Sequence, residues 1–180
     1  MRHILVEINC RQCGYHTHIK SHTLVKPELE PNLRERILQH AMFTYECPRC
    51  HTKTTFIHNF LYHDTNHRFL VYMSNDQNVP ASLRQQFPDQ PLCVVCDPDD
   101  LAEIIRMRED ALDDQVMIKI KQLLHRKDPK VLTIRYHDCD ETSQTIWLTY
   151  TYSDTKIYKA ITYQTYEQYA EKYQNRKEGA

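Results

Sequence analysis

The hydrophobic pattern divides the chain into short segments of changing period. Residues 3–9, HILVEIN, read as a strand, and residues 15–25 alternate apolar and polar as a second strand. Between them lies Cys10-Arg11-Gln12-Cys13-Gly14, so the pair predicts a hairpin with a cysteine turn at its tip. Pro27 and Pro31 punctuate the next stretch. Pro31 suits the first turn of a short helix over residues 32–42, with Leu33, Ile37 and Leu38 on one face. Residues 42–46 then lead into Cys47-Pro48-Arg49-Cys50, and residues 52–63 and 67–73 predict paired strands around Asp64-Thr65-Asn66.

The second half has a different rhythm. Residues 76–90 are polar and carry Pro80 and Pro88, which predicts a linker with one helical turn over 82–87. Residues 92–96, LCVVC, read as a short buried strand. Asp97 before Pro98 predicts an N-cap, and Leu101, Ile104, Ile105, Leu112, Met117, Ile120 and Leu124 recur at helical spacing, giving a helix or helix pair that ends near Lys127. Residues 131–139, 145–153 and 156–163 alternate as a three-strand meander should. A closing helix over 166–177 presents Tyr166, Tyr169, Ala170 and Tyr173. The expected organisation is a first domain over 1–75, a linker over 76–90 and an α+β domain over 91–180.

Composition narrows the class. In 180 residues, 41% are hydrophobic and 26% charged, the balance of a chain that folds rather than of a disordered one. Only two glycines occur, so left-handed turn positions are expected to fall to Asn, Asp or His, as in Asn75-Asp76 and Asp64-Thr65-Asn66. The apolar run at the N-terminus is broken at Glu7, too early for an export signal, and no stretch is long enough to span a membrane. Seven cysteines without an export signal favour thiols and metal ligands over disulfides, and a cytoplasmic location.

Cys10 and Cys13 are two residues apart, as are Cys47 and Cys50. This spacing lets one tight turn place two thiolates on a single ion, and two such turns complete the tetrahedral soft-ligand set that Zn²⁺ prefers. The reading is one structural Zn²⁺ held by Cys10, Cys13, Cys47 and Cys50. A site closed by four thiolates leaves no position for water, so its role is to hold a fold. The fold class that follows is α+β, an N-terminal zinc ribbon with an inserted short helix, followed by a helix plus an antiparallel three-strand sheet.

Four segments together, CRQCG at 10–14, PELEPNLRERIL at 27–38, FTYECPRC at 43–50 and FLYHD at 60–64, resemble the CpXC family over roughly residues 1–125. The resemblance implies a zinc-ribbon-like domain with two cysteine turns and implies no activity. Two positions depart from the family pattern. Arg11 stands where the first turn usually has proline, and His51 stands where glycine usually follows the second. A left-handed His51 costs about 1 kcal/mol, small beside the roughly 10–16 kcal/mol that structural zinc contributes.

Other constellations are weaker. Cys93 and Cys96 share the two-residue spacing, and His137 with Cys139 would complete a second site. A strand, however, points i and i+3 to opposite faces. His16, His18 and His22 lie on one face of the second strand, as metal or phosphate ligands or, more simply, as a solvated face. Glu109, Asp110, Asp113 and Asp114 place like charges four apart. Either the helix breaks there with Asp113 or Asp114 as N-cap, or the carboxylates bind a cation or a basic partner. Eight of the twelve tyrosines fall between 136 and 173, as sheet core first and as an aromatic binding face second.

Charge bears on the partner. Residues 1–75 carry a net +3, 76–128 a net −4 and 129–180 none. The basic residues of the first part are scattered singly, and only Arg11 and Arg49, each inside a cysteine turn, are expected to converge. That distribution is poor for a polyanion. With no nucleophile motif and no glycine-rich phosphate loop, the expected function is a zinc-stabilised, non-catalytic cytosolic interaction or adaptor module for a protein partner. A nucleic-acid-binding ribbon and a metal-dependent hydrolase using the carboxylates at 109–114 are the alternatives.

Overall fold

The structure, a computed structural model, describes residues 3–178, with side chains as far as Tyr173. The chain forms two compact units, Met1–Ile104 and Ile105–Ala180.

In the first unit, β1 (His3–Asn9) and β2 (His16–His22) form an antiparallel ribbon, and β3 (Leu24–Val25) follows. α1 (Pro31–Leu38) begins on its proline and buries Ile37. It is shorter than the 32–42 expected, because His40 turns left-handed at φ 60° and a 3₁₀ turn, Ala41–Phe43, takes over. A second ribbon, β4 (Thr44–Glu46) with β5 (Lys53–Thr55), carries the second cysteine turn. The expected single strand over 52–63 is broken in two, since β6 (Phe60–Asp64) belongs to another sheet. Between the breaks, Phe56 and His58 turn inward against Phe43 and Phe60.

That other sheet has the order β3-β6-β7-β8, with β7 at Phe69–Met73 and β8 at Leu92–Val95. β6 and β7 are the antiparallel pair anticipated, whereas β3 with β6 and β7 with β8 run parallel. Parallel neighbours need a crossover of a dozen residues or more. The stretch expected to be a linker is that crossover, carrying α2 (Ala81–Gln86). Leu92–Val95, expected to open the second domain, therefore lies in the first unit, and the boundary between units falls at 104/105. β7 is buried at every position, the signature of a strand covered on both faces. Val25, Ile37, Phe43, Phe60, Tyr62, Leu70, Val71 and Met73 form the core.

α3 (Pro98–Glu109) starts at Asp97, whose Oδ1 accepts from the Asp100 N–H at 2.8 Å, as the sequence predicts. The helical region then breaks, with Ala111 left-handed at φ 57°, and α4 (Asp114–Lys127) begins. In the second unit β9 (Thr133–Asp140), β10 (Thr145–Thr151) and β11 (Lys156–Thr162) make the anticipated antiparallel meander in the order β11-β10-β9. α5 (Tyr163–Glu178) closes the chain. Ile146, Leu148 and Tyr150 point from β10 into a core with Ile134, Tyr136, Met117, Ile120 and Tyr166. The alternate face of β10 carries Trp147, 38% exposed.

Candidate metal centre

The two cysteine turns have the same construction. In the first, the Cys10 N–H donates to the Tyr15 carbonyl at 2.9 Å and the Gly14 N–H donates to the Cys10 carbonyl at 2.8 Å. In the second, Cys47 donates to Thr52 at 3.0 Å and His51 donates to Cys47 at 2.8 Å. Each loop joins the two strands of its own ribbon, closing after Asn9↔His16 in one and Glu46↔Lys53 in the other. The residue after the second cysteine is left-handed in both, Gly14 at φ 68° and His51 at φ 57°. The departure from glycine at His51 is therefore accommodated by strain rather than by a different turn.

The turns meet. Cys10 Sγ lies 3.5 Å from Cys50 Sγ, Cys13 Sγ lies 3.6 Å from Cys47 Sγ, and all four sulfurs are within 4.8 Å of one another. A disulfide needs about 2.05 Å, and none joins Cys10, Cys13, Cys47 or Cys50. Four sulfurs about 2.3 Å from a central ion would stand about 3.8 Å apart, close to the separations found. Cys10 and Cys47 are buried and Cys13 and Cys50 partly so, which places a thiol cluster under the two turns. The donor set therefore fits a metal ion.

The electrostatics agree with that fit. Thr52, with its hydroxyl 3.3 Å from Cys50 Sγ and its N–H also directed there, brings Cys50 down to about 6. Cys13 has the Tyr15 N–H pulling it down, yet burial and the thiols of Cys47, Cys50 and Cys10 push it up to about 12. Four crowded sulfurs cannot all release protons without a cation among them. Tyr45 beside the cluster is raised by burial and by Tyr15 and the nearest thiols.

The remaining candidates each have a local setting of their own. Cys93 and Cys96 lie in the first unit, Cys93 buried in β8 opposite Val71 and Cys96 beyond the strand end, where Gln77 Nε2 lies 3.7 Å from its Sγ. His137 and Cys139 lie in the second unit. There His137 is the extra residue of a β-bulge, its ring 4.7 Å from that of Tyr158, and Cys139 faces Ile146. In the acidic stretch, Asp113 is the N-cap of α4, accepting from Gln115 and Val116 at 2.8 and 3.2 Å. Asp114 is buried on Arg108 and Asp110 accepts from the Tyr136 hydroxyl. These carboxylates are engaged in local structure, and burial raises Asp110.

One grouping was not singled out in the sequence. Glu7, His16 and His18 bring three ligand atoms within 4.8 Å of one another on the first ribbon. Only the histidine side is visible in sequence, because Glu7 joins through strand pairing.

Among the described residues no helix is long and apolar enough to cross a membrane. Neither the curated proteins nor the solved structures include a match to this chain. A family model described as CpXC protein matches residues 8–121, more than half of the chain and both cysteine turns. With its paired cysteine turns converging on one four-thiol cluster, the chain belongs to the CpXC family.

Proposed function

We propose that the protein is a zinc-stabilised interaction module, non-catalytic at its cysteine site, that binds a protein partner in the cytosol. The observation that carries the reading is the convergence of Cys10, Cys13, Cys47 and Cys50. Zn²⁺ suits this set because four thiolates match its tetrahedral, soft-ligand preference. Bound there, it supplies no open position for substrate, and it ties two ribbons that share little core of their own. The four cysteines of the cluster stand at metal-ligand rather than disulfide separations, which suits a reducing compartment.

The partner surface falls on the outer face of the second unit's sheet. Trp147, Tyr158 and His137 stand together there, with Tyr158 58% exposed, while the tyrosines of the opposite face, Tyr136 and Tyr150, are core. Exposed tryptophan and tyrosine are the residues that anchor protein interfaces. Arg11 and Arg49 are exposed on the two turns, but they are only two cations, and the ribbons that end in those turns also carry Glu7 and Glu46, which engage His16 and His51. A nucleic-acid contact built on so few cations stays in the non-specific range.

The test has two arms. Elemental analysis of reduced, metal-replete protein is expected to give one tightly held zinc, absent from Cys47→Ser. Capture from the native host is expected to retain a protein partner that Trp147→Ala with Tyr158→Ala releases, the variant melting as the parent does. Submicromolar binding of a DNA or RNA probe at 150 mM salt, weakened by Arg11→Ala with Arg49→Ala, would replace this reading with the nucleic-acid one.

A further inference from the structure

The β1–β2 register sorts the first ribbon into two faces. Val6↔Ile19 and Ile8↔Thr17 share one, where Ile8 is buried. His3↔His22, Leu5↔Lys20, Glu7↔His18 and Asn9↔His16 share the other, which is largely open to solvent. On that open face His16 and His18 are two residues apart, so a strand directs both rings the same way. The rings meet edge to face with centroids 5.2 Å apart. Glu7, directly across from His18, reaches His16, its Oε1 2.8 Å from Nε2.

We propose that Glu7, His16 and His18 form a second metal site, for a divalent transition cation of the imidazole-preferring kind, with the rest of its coordination sphere open. Two imidazoles and one carboxylate suit zinc, copper or nickel and leave positions for water or an external donor. The ligand atoms already lie within 4.8 Å of one another. An ion about 2.0–2.1 Å from both His16 Nε2 and Glu7 Oε1 would set them about 3.3 Å apart in tetrahedral geometry. The present 2.8 Å contact widens to that by small rotations of two exposed side chains. The backbone needs no change, because the register is fixed by the Cys10–Tyr15 turn at the end of the same ribbon. The site therefore rests on the four-cysteine reading for its rigidity alone. Unlike the cysteine set, it is open, three-liganded and at the surface, so it exchanges metal readily and presents the ion outward.

The test uses protein carrying its cysteine-held metal, gel-filtered and then titrated with Zn²⁺ or Cu²⁺ at pH 7.5. One further, weaker equivalent is expected. His16→Gln with His18→Gln should weaken that step by more than the 10–100-fold typical of losing a supporting residue alone, with the cysteine-held equivalent and the melting transition unchanged. Electron paramagnetic resonance of the Cu²⁺ form should report two nitrogen donors, and one in His18→Gln. His3→Gln with His22→Gln, which removes the neighbouring pair whose rings are 4.4 Å apart, should leave the step intact. Absence of the second equivalent, its persistence in the His16/His18 variant, or its loss in the His3/His22 variant instead would overturn the site. Loss of the cysteine-held equivalent from the parent would overturn the four-cysteine reading separately.

Discussion

Left-handed backbone is carried in this chain by residues that resist it. Besides Gly14, the positive-φ positions among the described residues are His40, His51, Arg68, Gln77, Ala111 and Gln144. The expectation of Asn, Asp or His holds for two of them and fails for the other four. Asn and Asp instead serve as acceptors that shape the turns. Asp64 receives the His67 N–H at 2.8 Å, and Asp140 receives Thr142 and Ser143 at 2.9 and 3.2 Å. At the cysteine turns the cost is measurable. A Cβ on Gly14 would meet nothing within 4 Å, so Gly14→Ala is expected to lose only the dihedral penalty, about 1–2 kcal/mol in denaturant unfolding of the metal-loaded protein. His51→Gly should gain up to about 1 kcal/mol by the same logic, since its contact with Glu46 is exposed. A larger loss in the first or a loss in the second would show that these turns are held by more than φ.

Also at the residue scale, Ser21 and His58 form a buried pair, Oγ to Nε2 at 2.9 Å, while His58 Nδ1 donates to the Asn59 carbonyl at 3.0 Å. That tautomer leaves Nε2 as the acceptor of the serine hydroxyl. Burial lowers the His58 pKa, against the smaller opposing effect of its bond to Asn59. The unfolded chain therefore binds the proton first. Stability is full above the unfolded value of about 6.5 and falls as pH drops from there toward the folded value. Burial lowers His63 as well, which adds to the same slope. Melting wild type and Ser21→Ala with His58→Phe at pH 7.5 and 5.5 should show a smaller acid loss in the variant, which keeps the shape and removes both polar partners. Equal losses would assign the acid sensitivity elsewhere, the cysteine site being common to both.

At the scale of elements, the helix break after Glu109 follows from local chemistry. Asp113 accepts two N–H groups at the start of α4, its own N–H donates to the Tyr166 hydroxyl at 2.7 Å, and Asp114 sits on Arg108. Asp113→Ala should cost about 1 kcal/mol, and Asp113→Asn much less, because both Asp and Asn cap helices. A loss of several kcal/mol in the asparagine variant would mean that the charge itself matters. The crossover through α2 makes a second claim. β8 is the edge strand of the four-strand sheet, so those of its amides that bond to β7 should exchange slowly with solvent while the alternate, outward ones exchange faster, and a fragment ending at residue 75 should not unfold cooperatively. Fast exchange across Leu92–Val95 would restore the strand to a separate module.

At the scale of the molecule, the metal and the second unit are expected to be separable. The cysteine cluster ties two ribbons of the first unit, whereas the second has an aliphatic and aromatic core of its own. Chelation of the metal should therefore collapse the amide and methyl dispersion of residues 3–60 while signals from β9, β10 and β11 persist. A metal held by four thiolates is expected to contribute on the scale known for structural zinc, about 10–16 kcal/mol, which the small ribbons cannot replace. Simultaneous loss of both sets of signals would show the units to be one cooperative block.

What was legible in the sequence is what short-range rules govern. The two cysteine turns, the α1 proline start, the Asp97 cap and the three-strand meander all rest on neighbours within a few residues, and each appears where the pattern puts it. Those rules end where partners are far apart in the chain. That Leu24–Val25 pairs with Leu61 and Tyr62, or that Leu92–Val95 lies parallel to β7, depends on which strand edge is free once the antiparallel pair has formed, and no local period encodes it. The same holds for Glu7. His16 and His18 share a face by strand period alone, but the carboxylate reaches them only through the register of a hairpin fixed by its cysteine turn. Tertiary pairing decided these features, because a strand's hydrogen-bonding edge carries no side-chain label of its partner.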